Sequence, residues 1–178
     1  MPTPTPEQPR LGQTTFKCQD LAALGRLASG LADALRKTLA TGFGARIYLS
    51  GELGAGKTTL CQFLINRLCG VDKAPSPSYS LVNPYPIPGH SGLGLLHLDC
   101  YRLQGAGDLA SLGVDGLDAP EAVLVVEWPE RALDALPQAD LWIHLRITAR
   151  ELEAPRELTV STYSRQGEQL LRLAGPVC

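Results

Sequence analysis

The sequence predicts an α/β fold of three layers, with helices on both faces of a mainly parallel central sheet that also carries some antiparallel strands. Three observations carry this reading. Leu24, Leu27, Leu31, Leu35 and Leu39 recur at three- and four-residue spacing, the mark of a helix with one apolar face. Two short apolar runs, LLHLD ending at Asp99 and AVLVVE ending at Glu127, hold leucine and β-branched residues without alternation, as parallel strands buried on both faces do. Between the strand-like residues 45–50 and a helical run from Lys57 lies the glycine-rich stretch GELGAGKTTL, so that strand, loop and helix follow one another directly.

Taken in order, MPTPTPEQPR is proline-rich and extended, and residues 1–13 are read as a mobile tail outside the fold. It has neither the charged nor the apolar region of a signal peptide. Residues 14–178 form a single domain. Residues 14–19 read as a strand, and Asp20 is placed to cap the leucine-patterned helix, which Gly42 and Gly44 end. The helix from Lys57 to Cys69 is apolar on most sides, so it is expected to be buried, and Gly70 supplies its stop. Residues 74–94 are crowded with Pro, Ser and Gly; residues 80–85 can pair as an edge strand and the rest is loop. A short helix is expected at 108–112, strands at 141–147 and 157–163, and a weak final element at 168–173.

Composition narrows the function. Sixteen basic and eighteen acidic side chains give a formal charge of -2, so no broad positive field draws in nucleic acid or an anionic membrane. No apolar run approaches the eighteen or so residues needed to span a bilayer. The five cysteines, Cys18, Cys61, Cys69, Cys100 and Cys178, are irregularly spaced with no C-x-x-C pair, and are expected to be reduced thiols in a cytoplasmic protein. His97 and His144 lie inside apolar runs and are expected to pack there.

The glycine loop carries the chemistry. Gly51-x-x-x-x-Gly56-Lys57-Thr58 fits the Walker A spacing in the strand–loop–helix context that its mechanism needs. Glycines let backbone N–H groups turn inward on an anion, and the N-terminus of the following helix points its positive end at the same place. Lys57 offers a point charge to the β and γ phosphates, and the Thr58 hydroxyl a ligand to Mg²⁺, an ion that needs few protein oxygens. Gly51, Glu52, Leu53, Gly54, Ala55, Gly56, Lys57, Thr58 and Thr59 are therefore the expected nucleotide-contacting set, with a nucleoside triphosphate and Mg²⁺ as the ligands. No N-K-x-D base-reading motif follows the loop, which argues against GTP. Such a site also needs an acid beside the metal and a group that positions the nucleophile. Asp99 and Glu127 both fall at the carboxyl ends of predicted parallel strands, where ligands of open sheets bind; strand patterning does not rank them, and each has a structural use, Asp99 in capping a turn and Glu127 in pairing with Arg131.

GELGAGKTT, SPSYSLVNPY, LHLDCYRL and VVEWPER, in this order across roughly residues 14–147, resemble the TsaE (formerly YjeE) family, small P-loop ATPases of bacterial tRNA threonylcarbamoyladenosine synthesis. The resemblance implies a P-loop NTPase-like fold. It makes Lys57 a catalytic phosphate lysine, Thr58 and Asp99 the metal residues, and Glu127 the catalytic residue that orients or deprotonates water. Trp128 packs at the nucleotide, and Ser78 lies in a switch-like loop where the family usually has threonine. Tyr101 and Arg102 match the family's D-x-Y-R-L motif. It further implies ATP hydrolysis that assists a TsaB–TsaD complex in forming N6-threonylcarbamoyladenosine next to the anticodon, with tRNA reached only through that complex. Two rivals share the loop: a small-molecule kinase, for which Arg146, Arg150 and Arg156 supply a possible lid, and a nucleotide-gated adaptor that binds without hydrolysis.

Overall fold

The structure is a computed structural model that describes residues 9–72, 74–75, 81–148 and 155–175. In chain order its elements are β1 (Gly12–Cys18), α1 (Leu21–Leu39), β2 (Ala45–Gly51), α2 (Lys57–Cys69), β3 (Val82–Tyr85), β4 (Leu95–Asp99), α3 (Ala106–Ser111), β5 (Val123–Glu127), 3-10 turns at Pro129–Arg131 and Leu133–Ala135, β6 (Leu141–Ile147), β7 (Arg156–Thr162) and α4 (Arg165–Ala174). The seven strands form one sheet in the order β1-β7-β6-β2-β5-β4-β3. Its centre, β6-β2-β5-β4, is parallel, and antiparallel strands close both sides, β3 on β4 and β7 with β1 on β6. The expected mainly parallel sheet with some antiparallel strands is what the chain adopts, and the structure puts the antiparallel strands at the margins.

Residue alternation along the strands builds the three layers. Ile47, Leu49, Val123, Val125, Ile143 and Leu145 point to one face, where they pack with α1, α2 and α4 through Leu24, Leu27, Leu31, Leu35, Leu64, Ile65 and Leu170. Tyr48, Leu96, Leu98, Leu124, Val126 and Trp142 point to the other, beneath α3 and the 3-10 turns. Both faces are filled, which is why β4 and β5 read as unbroken apolar runs.

Helix α1 shows which effect dominates. Gly25 and Gly30 lie in its interior, each costing about 1 kcal/mol relative to alanine. Leu24, Leu27, Leu31 and Leu35 are at most 1% exposed, and burying each contributes roughly 1.5–3 kcal/mol. Tertiary burial therefore outweighs local propensity. Asp20 caps the helix as expected, its carboxylate accepting the Ala23 N–H at 2.7 Å. Gly70, at φ 70°, ends α2.

Several boundaries and pairings differ from the sequence reading. β1 begins at Gly12, inside the stretch expected to be tail, because it pairs with β7 along its whole length, Gly12 opposite Thr162. The weak final element is a ten-residue helix, α4, capped by the Ser164 hydroxyl on Gly167 N–H at 3.0 Å. Cys61, Cys69 and Cys100 are free and buried. Cys18 is disulfide-bonded and so departs from the expected reduced thiols. Among the described residues no helix is long and apolar enough to cross a membrane.

Removing the α1 cap tests this account of helix stability. Asp20→Ala is expected to lower the unfolding free energy by about 1 kcal/mol in a urea titration, since the Ala23 N–H loses its acceptor.

Candidate functional site

The parallel register sets the site. Leu49 lies opposite Glu127 in the β2–β5 pair, and Asp99 lies opposite Glu127 in the β4–β5 pair. The three strands thus end at one edge, and the loop that leaves β2 rises beside both acids. Residues two apart on a strand share a face, so His97, Asp99, Val125 and Glu127 all turn toward α2.

The loop folds back on the sheet through positive backbone angles at Gly51, Gly54 and Gly56 (φ 130°, 81° and 103°). A Cβ at Gly51 would come within 2.1 Å of the Leu145 carbonyl oxygen on β6, so this position tolerates no side chain. The far half of the sheet fastens the loop. The Glu52 carboxylate accepts the Ile147 N–H at 3.2 Å, and Arg156 Nε on β7 donates to the Ala55 carbonyl at 3.2 Å. Leu53, at the tip, is 74% exposed, and Ala55 is fully buried.

Lys57 opens α2 with its ammonium turned inward. Nζ donates to the Gly51 and Glu52 carbonyls, both at 2.8 Å, and lies 3.7 Å from the centre of the Trp128 ring. Burial pushes its pKa down, opposed by the charges of Glu127, Glu130 and Asp99. Trp128 takes the left-handed conformation (φ 55°), uncommon for a bulky side chain and typical of functional sites. Its ring also meets Tyr101, centroids 5.0 Å apart, so Lys57, Trp128 and Tyr101 form a stack running from the buried loop to the surface.

Next to Lys57, Thr58 Oγ1 donates to Glu127 Oε2 at 2.7 Å. Glu127 is 1% exposed, and its other oxygen, Oε1, lies 3.0 Å from His97 Nε2. Thr58 and His97, rather than Arg131, are thus the groups seen on this carboxylate. Cys61, one turn into α2, adds a hydrogen bond to Glu127; burial first, then the Glu127 charge, pushes its thiol well above the ordinary range. Cys61, His97 and Glu127 gather their donor atoms within 4.8 Å of one another. Such a trio has the composition of a metal site, but His97 and Cys61 both face Glu127 as hydrogen-bonding partners. The trio reads as a hydrogen-bonded mount for the carboxylate.

Asp99 is 8% exposed, and its Oδ1 accepts the Tyr101 N–H at 3.0 Å, so it does cap a turn while standing beside Glu127. Burial raises its pKa, the Tyr101 N–H opposes this, and the Glu127 charge adds to it.

Lys57, Thr58, Asp99, Glu127 and Trp128 are therefore brought together, with Thr59 half-buried on the first turn of α2. Ser78 and Arg150 lie outside the described residues. Arg146 is engaged by Glu157 at 2.7 Å, a use unlike that of a lid arginine. His97, expected only to pack, and Glu130, not singled out, stand at the site beyond the sequence reading. His97 stands two positions before Asp99, and strand periodicity was the available signal that both share a face. Glu130 follows Trp128 and Pro129; its Oε2 is buried without a partner among the described residues, and burial raises its pKa.

The donor set suits a polyphosphate with a hard divalent cation: inward-turned glycines, a buried ammonium, a hydroxyl and two carboxylates at one strand edge. The fold and this loop together define a P-loop NTPase-like α/β protein. A crystal structure of Bacillus subtilis YdiB matches it with a TM-score of 0.62 over 92% of this chain and 94% of that one, at 24% identity, a likeness that concerns the fold. Residues 18–157 match the family described as "Threonylcarbamoyl adenosine biosynthesis protein TsaE". The chain belongs to the TsaE family. Among its relatives, the tRNA threonylcarbamoyladenosine biosynthesis protein TsaE of Haemophilus influenzae is 33% identical over 99 residues, 56% of this chain and 61% of that protein. Those of Treponema pallidum and Streptomyces coelicolor are 34% and 35% identical, each over 66% of this chain and over 82% and 80% of their own lengths.

The raised pKa of Asp99 gives a signed prediction. A carboxyl that binds its proton more tightly when folded costs stability once ionised, at pH above its unfolded value of 3.8. Asp99→Asn keeps an oxygen for the Tyr101 N–H and removes that cost. Its melting temperature is expected to exceed that of the wild type at pH 7.5, with the gap closing as the pH falls toward 4.

Proposed function

We propose that this chain is an ATPase that converts ATP to ADP and phosphate and thereby assists a TsaB–TsaD complex in forming N6-threonylcarbamoyladenosine next to the anticodon of tRNA. The observation that carries the hydrolytic reading is the 2.7 Å contact between Thr58 and Glu127 beside the buried Lys57 ammonium, which puts a P-loop hydroxyl and a strand-end carboxylate at one point. Its support for the pathway is membership of the TsaE family.

In this reading the loop amides of Gly51 to Thr58 and the Lys57 ammonium bind the phosphates. A bound Mg²⁺ would neutralise phosphate charge, and Thr58 and Asp99 would hold it. Glu127 orients the attacking water and takes its proton. Trp128 packs at the nucleotide over Lys57. The chain supplies a conformational step driven by nucleotide turnover. The net charge of -2 suits a protein that meets tRNA only through its partners, in the cytoplasm.

Lys57→Ala is expected to weaken ATP binding at least tenfold by calorimetry, whereas Glu127→Ala keeps binding and loses turnover. Full phosphate release by Glu127→Ala would leave the water-activating role without support. Phosphate release measured with and without TsaB–TsaD tests the pathway: the rate is expected to change on adding the pair, and an unchanged rate would reduce the protein to an ATPase without that assignment.

A further inference from the structure

The Glu127 carboxylate has two oxygens with two different partners. Oε2 holds the Thr58 hydroxyl, a group that the proposed function assigns to the metal. Oε1 holds His97 Nε2, on a sheet strand with no such competing task. We propose that His97 is a positioning residue for Glu127: it pins Oε1, so that Oε2 is the oxygen released by Thr58 to receive the proton of the attacking water. The inference rests on the ATPase reading and deepens it.

The surroundings suit that division of labour. His97 is 0% exposed in the middle of β4, which is hydrogen-bonded on both sides, to β5 and β3, so its ring has little freedom to follow the loop. An ionised carboxylate only accepts, so the proton in the contact is carried by Nε2. Nδ1 is buried and has no partner among the described residues. As a bare lone pair it costs less than an unpartnered N–H would, which favours the Nε2–H tautomer. With Thr58 drawn off Oε2, a 1% exposed carboxylate would lose one strong donor. His97 then keeps it from rotating. In the reaction, water oxygen bonds to the γ-phosphorus as the bond to the β–γ bridging oxygen breaks, and the proton passes to Oε2. A histidine that only filled space would be replaceable by an apolar side chain.

Two variants and one spectroscopic measurement separate these cases. His97→Leu removes the donor, whereas His97→Gln carries an N–H at similar reach. His97→Leu is expected to lower kcat roughly 10- to 100-fold, the scale on which misplaced catalytic groups act, with KM for ATP within about twofold and full binding stoichiometry. His97→Gln recovers most of the loss. Wild-type kcat in His97→Leu would overturn the proposal, as would equal losses in both variants. Glu127→Ala measured alongside separates the two levels: retained turnover there sinks the ATPase role of Glu127, while its loss combined with an active His97→Leu sinks only the inference about His97. Imidazole nitrogen spectra of the wild-type protein without nucleotide supply a readout independent of folding of the variants and of activity. The His97 signal is expected in the Nε2–H form; an Nδ1–H form would refute the assignment.

Discussion

The site depends on a carboxylate kept out of water. Glu127 ends a strand whose residues are all buried, and a charge in that position is tolerated only with its oxygens hydrogen-bonded. Thr58 satisfies one oxygen and His97 the other, and the Cys61 thiol adds to the mount. The parallel register of β2, β5 and β4 makes this possible, because it brings the end of β2, where the phosphate loop departs, level with both acids. A slip of one residue in β5 would turn Glu127 to the other face of the sheet, away from α2.

The site also shows electrostatic tension. Asp99, Glu127 and Glu130 surround one ammonium, and burial pushes Lys57 in one direction and Asp99 and Glu130 in the other. Both directions mark charged forms that the interior disfavours.

Much of this was legible from residue order. The loop spacing, the acids closing LLHLD and AVLVVE, the Asp20 cap and the Gly70 stop are local patterns, and local patterns survive in a single sequence. The partners of those residues were not legible, since they are made by strand pairing: His97 and Glu127 are thirty positions apart, and Arg156 and Ala55 a hundred and one. The cysteine reading failed at Cys18 for the same reason, because spacing along the chain does not say which thiols meet. The β1 boundary moved because pairing with β7 holds Gly12 and Gln13 in the sheet whatever their own propensity.

The phosphate loop meets different partners on its two flanks. Glu52 and Ala55 are moored by hydrogen bonds to β6 and β7. Toward β5, Thr58 holds Glu127, while Lys57 rests on the Trp128 indole and the indole on Tyr101. Two rings therefore connect the ammonium, on a residue 4% exposed, with a tyrosine 45% exposed. A buried charge is thus joined to the open surface by ring contacts.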